Sequence, residues 1–191
     1  MTNAKSQSER NQMLDQTVGR GYELSKAEDI KWTIGRTKEL IAEGADVNYI
    51  DSRSGNSTVL CHAISGGNPE IIQLLLDHGA KITFAALLTA CNRAGLAVNG
   101  AAFLKRGEFS QTRIDTREKI ALMIIAKAAK EDFIGTNWEK KTVLDFAAPS
   151  AIVTEALKEA MKSKGLTEAG LSSPKEKAKK FIKQKLRHFK P

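Results

Sequence analysis

Cysteine and histidine are scarce in this chain, and long apolar runs are missing altogether. Two cysteines in 191 residues, Cys61 and Cys91, cannot make a disulfide framework. Both fall on predicted helices, where small buried thiols of a reducing compartment are expected. The three histidines, His62, His78 and His188, sit in separate contexts with no cluster at ligand spacing, so no metal site is expected. No apolar stretch approaches the roughly 20 residues that span a bilayer. Residues 1–9 are polar and lack the hydrophobic segment of a secretory signal. Residues 66–69, Gly-Gly-Asn-Pro, lack the Gly-Lys-Ser/Thr of a phosphate-binding loop. The adjacent acids Glu131 and Asp132 have no partner for acid–base work. The expectation from these absences is a non-enzymatic, cofactor-free, monomeric protein of the cytoplasm.

What charge there is lies unevenly. The chain is 41% apolar and 27% charged, an ordinary soluble mix, with a net charge of +8. Residues 175–191 hold eight basic residues against Glu176 alone, so nearly all of the excess is in one tail. The body before it is close to neutral, which argues against a nucleic-acid-binding domain.

Residues 58–80 organise the rest. Thr58-Val59-Leu60-Cys61-His62-Ala63 reads as a short apolar helix, broken at Gly66-Gly67. Asn68 is a good N-cap with Pro69 at the first helical position of a second helix. Ile71, Ile72, Leu74, Leu75 and Leu76 follow, and Gly79 stands where a helix-ending glycine belongs. Two helices this short cannot bury their apolar faces alone and need copies alongside. The copies are present. Gly44-Ala45 precedes Gly79-Ala80 by 35 residues, and Thr142-Val143-Leu144-Asp145-Phe146-Ala147-Ala148 repeats the first-helix phrase.

These phrases resemble the ankyrin repeat, over roughly residues 25–163. The family pattern runs Asp-x-x-Gly-x-Thr-Pro-Leu-His-x-Ala, then a break, a second helix and Gly-Ala-Asp-Val-Asn. Here Val59 and Val143 replace the Pro, Cys61 and Asp145 replace the His, and Asn137 and Lys140 replace the Asp and Gly. The resemblance implies an all-α, ankyrin-like solenoid of three to four helix pairs with β-turn fingers. Irregular chains of this kind resemble those that intracellular bacteria deliver into host cells, an analogy of fold only.

The domain organisation follows from local signals. Residues 1–7 are expected to be disordered, and 8–165 to form the repeat domain. Ser6-x-x-Glu9 and Ser25-x-x-Glu28 are capping boxes that open a first helix pair. Residues 46–57 read as a finger. The middle has two registers. In one, 96–106 is a second helix. In the other, favoured because Asp115-x-x-Glu118 reads as a capping box, about 95–115 is an inserted loop and 116–130 is the partner helix. Residues 173–190 read as an extra C-terminal helix, basic and amphipathic, with Phe181, Ile182, Leu186 and Phe189 on one face.

The resemblance implies that the fingers and the concave face of the first helices bind another protein. The residues so placed are Tyr49, Ser52, Arg53, Asn56, His62 and Ser65 around the second repeat, and Trp138, Glu139, Lys141 and Asp145 around the last. Trp138 either anchors an interface or folds back on the neighbouring finger. The C-terminal helix either caps the stack or meets an anionic membrane or nucleic acid through Lys179, Lys180, Lys183, Lys185 and Arg187.

Overall fold

In the computed structural model, residues 6–19, 27–51, 57–104 and 108–168 are described. They hold eight α-helices: α1 (Gln7–Gly19), α2 (Ala27–Ala42), α3 (Val59–Gly66), α4 (Pro69–Asp77), α5 (Phe84–Leu104), α6 (Glu108–Lys127), α7 (Val143–Ala147) and α8 (Ala151–Ser163). Helices α1, α3, α5 and α7 pack side by side in one row, and α2, α4, α6 and α8 in a second. The two rows enclose one continuous core that runs from Leu14 to Met161. A two-residue antiparallel ladder, β1 (Ile50–Asp51) with β2 (Ser57–Thr58), pairs Ile50 with Thr58 and makes the base of the first finger. No helix among the described residues is long and apolar enough to cross a membrane.

The caps are those that the residue types dictate. Asn68 Oδ1 accepts the backbone N–H of Glu70 and Ile71, with Pro69 where no N–H is needed. Ser6 and Glu9 exchange hydrogen bonds as a capping box on α1. At the end of α4, Gly79 takes φ +86°, and the N–H groups of Gly79 and Ala80 return to Leu76 O and Leu75 O. The end of α2 repeats that pattern with Gly44, Ala45, Ile41 O and Leu40 O. Buried Thr33 and Thr37 on α2 satisfy their hydroxyls on the carbonyls four residues back.

Neighbouring pairs are joined by polar side chains as well as by the core. Asn48 Nδ2 donates to Gly79 O at 3.0 Å, and Asn48 Oδ1 accepts from the Lys81 N–H at 2.8 Å. One repeat earlier, Gln7 Nε2 donates to Gly44 O and Asn11 Oδ1 accepts from the Asp46 N–H. Two residues of α1 thus do what one finger asparagine does next door.

Three expectations are corrected. Residues 95–115 are not a loop: α5 continues to Leu104 and α6 begins at Glu108. Nor do residues 96–106 form a second helix, because their described part continues α5. Asp115 and Glu118 cap nothing, since both lie inside α6. Gln111 Nε2 donates to Asp115, and buried Glu118 accepts the Ser150 hydroxyl at 2.6 Å. The capping box read at Ser25 and the C-terminal helix read at 173–190 lie outside the described residues.

Candidate functional site

The last finger is held by its own side chains. Asn137 Oδ1 accepts the N–H groups of Glu139 at 3.0 Å and Lys141 at 2.9 Å, while the Asn137 N–H donates to Lys141 O. This loop forces Lys140 to φ +64°, the left-handed region, where no other non-glycine residue of the described chain lies. Asp145 then opens α7 by accepting from both the N–H and the hydroxyl of Thr142, at 2.6 and 2.9 Å. With both ends of the finger fixed, Trp138 at its tip is 89% exposed.

Beside that tip is a cleft of about 350 Å³. Its walls are Leu88, Thr89 and Asn92 of α5, Asn137, Trp138 and Glu139 of the finger, and Phe146 of α7. Helix α5 can sit close to α7 because Gly95 has no side chain: a Cβ there would run into the Phe146 carbonyl oxygen and the Pro149 ring. Lys141 reaches back over the rim. Its Nζ is 2.9 Å from Glu139 Oε2 and 5.8 Å from the centre of the Phe146 ring. The Glu139 carboxylate raises the Lys141 pKa, and the charge of Asp145 adds to the effect.

The other predicted residues are dispersed. Tyr49 is half-buried at the base of the first finger, where its carbonyl accepts the Val59 N–H. His62 is half-buried rather than free on the first row: its Nδ1 lies 2.5 Å from Asp15 Oδ1 on α1. That hydrogen bond raises the His62 pKa against the opposing effect of burial, with a further contribution from the charge of Asp51. Ser65 accepts Arg93 Nη2 at 3.3 Å. Asp145 is engaged as a cap. His62, Ser65 and Asp145 thus each carry a hydrogen bond within the chain, and Asp145 is exposed. Ser52, Arg53, Asn56, Lys179, Lys180, Lys183, Lys185 and Arg187 lie outside the described residues. Cys91 is buried, which pushes its thiol up to about 12. No group of three or more His, Cys, Asp or Glu among the described residues is placed to hold a metal ion.

The structure thus brings together Trp138, Glu139 and Lys141 and adds Leu88, Thr89, Asn92, Asn137 and Phe146. Thr89 and Asn92 carried a signal that went unread: they are polar and one turn apart on a helix otherwise rich in Ala and Leu.

Comparison with known proteins finds similarity for the part of the chain around α3 and α4. The Ankyrin repeat profile matches residues 55–93. A putative ankyrin repeat protein, R664, of Acanthamoeba polyphaga mimivirus is 46% identical over 48 residues. Those residues are 24% of this chain and 30% of the viral protein's length.

Proposed function

From the premise that this chain is an ankyrin repeat protein, of a family typically non-enzymatic and generally used for protein–protein interaction, we propose that it binds a partner protein at the cleft between α5, the last finger and α7. One observation carries the reading: Trp138 stands 89% exposed at the lip of that cleft. A tryptophan buries about 150–250 Å² when covered and is among the commonest anchors of an interface. The finger that carries it is closed by backbone and Asn137 hydrogen bonds, so little order is lost on binding. The reading goes with a monomer in the cytoplasm.

A selection from a displayed random-peptide library on the full chain tests this. Trp138→Ala should weaken the selected peptides by tenfold or more, about 1.4 kcal/mol or above, while circular dichroism and melting temperature stay as in the parent. Equal affinity in the variant would overturn the reading. A second reading rests on the charge of residues 175–191: attachment to an anionic membrane or nucleic acid, including delivery into a host cell. Binding to anionic vesicles that is lost in high salt would support it.

A further inference from the structure

We propose that the cleft beside Trp138 takes a cationic side chain, the lysine or arginine of an extended segment of the partner protein, against the Glu139 carboxylate that Lys141 now pairs with from the rim. The inference rests on the protein-binding reading and names the chemistry of the partner.

An ammonium already pairs with this rim. Lys141 Nζ is 2.9 Å from the Glu139 carboxylate and 5.8 Å from the centre of the Phe146 ring, and both of those residues line the cleft. An anion beside an aromatic face suits a cation and little else. The internal cation is loosely kept. The Lys141 side chain is 54% exposed and its single ion pair is a surface pair, a kind that contributes little. It can turn into water at small cost. A partner cation gains what Lys141 does not reach: the ring of Trp138 has no cation against it among the described residues, and covering it removes a large apolar surface from water. With Lys141 turned away, the Glu139 carboxylate on the cleft wall is left for another cation, the complement of a basic residue. Asn92, on the opposite wall, is half-buried and makes no hydrogen bond among the described residues, so its amide is free to pair with the backbone of a passing segment.

The test uses the full chain and a displayed library of random twelve-residue peptides. Peptides selected on the parent should be enriched in Lys and Arg. Glu139→Gln should weaken a selected peptide about three- to tenfold, the range of a partly desolvated cation contact. Lys141→Ala, which removes the competing ammonium, should strengthen it. Replacing the peptide's basic residue by norleucine should cancel both effects. All three altered positions are exposed, and circular dichroism checks that the variants fold. A selection without basic excess overturns the proposal. So does an acidic excess, which Lys140 and Lys141 would give if they formed an anion site, or a weakening in Lys141→Ala. If Trp138→Ala abolishes binding while Glu139→Gln changes nothing, the cation seat falls and the protein-binding cleft stands. If Trp138→Ala changes nothing, both fall.

Discussion

Two neighbouring helix pairs occupy equivalent places in this stack at very different lengths. Helices α3 and α4 have 8 and 9 residues, whereas α5 and α6 have 21 and 20. Their buried positions nevertheless cover similar stretches. In α5 they fall from Ala86 to Gly95, and in α6 from Arg117 onward, while residues 96–101 and 111–116 include none. The long pair is a repeat of ordinary size with an arm on the end away from the fingers. What makes a repeat stackable is therefore the few turns that face its neighbours, and extra helix can be added beyond them.

The comparison can be broken at its strongest point. Leu75, fully buried in the short pair, faces the shared core, and Leu75→Ala should cost about 2–5 kcal/mol in a denaturant titration. A small loss would mean that the short pair is not a core element. Gly95 marks the last buried turn of α5. Gly95→Ala would push a methyl group into the Phe146 carbonyl and Pro149, and should destabilise by about 1–3 kcal/mol. No loss would show that α5 and α7 are not in close contact at Gly95.

The pair His62–Asp15, which joins the short repeat to α1, gives a smaller and pH-dependent effect. The folded state raises the His62 pKa, so it holds the proton more tightly than the unfolded chain does. The resulting stability is complete below the ordinary value of about 6.5 and is lost as pH rises through the folded-state value. Melting temperatures of the parent should fall toward those of His62→Gln over that window, and a constant difference would show that the pair does not titrate with folding. The smallest effect belongs to the arm. Leu96 is 53% exposed, and Leu96→Ala should change stability by no more than about 0.5 kcal/mol.

The same contrast explains what could be read beforehand. The short pair was legible because every local signal agreed: Thr58, Asn68, Pro69 and Gly79 mark helix boundaries and the apolar residues fill the turns between. The long pair misled because Gly100, Gly107 and the mostly polar run from 108 to 111 look like loop, and Asp115-x-x-Glu118 copies a helix start inside a helix. Residues 96–101 and 111–116, which include no buried position, have no apolar periodicity to announce a helix. In the candidate site, the exposed finger residues Trp138, Glu139 and Lys141 were legible from the repeat pattern. The pairing of His62 was not, because its partner, Asp15, is 47 positions away and depends on the fold, whereas Thr142-x-x-Asp145 is a capping pattern that went unread.

Arg117 sits at the root of the arm. Its guanidinium donates to the carbonyl oxygens of Ile64, at 2.6 Å, and Ser65, at 3.0 Å, in the position that a Cβ on Gly67 would occupy. A cation is well placed there, at the carbonyl end of α3. Fraying of α6 from its N-terminal end uncovers no fully buried residue between 111 and 116, but one step further strips two carbonyls of α3. Amide exchange should therefore be fast up to Thr116 and slow from Ile120 onward, with Arg117 as the latch at which local opening becomes unfolding of the whole.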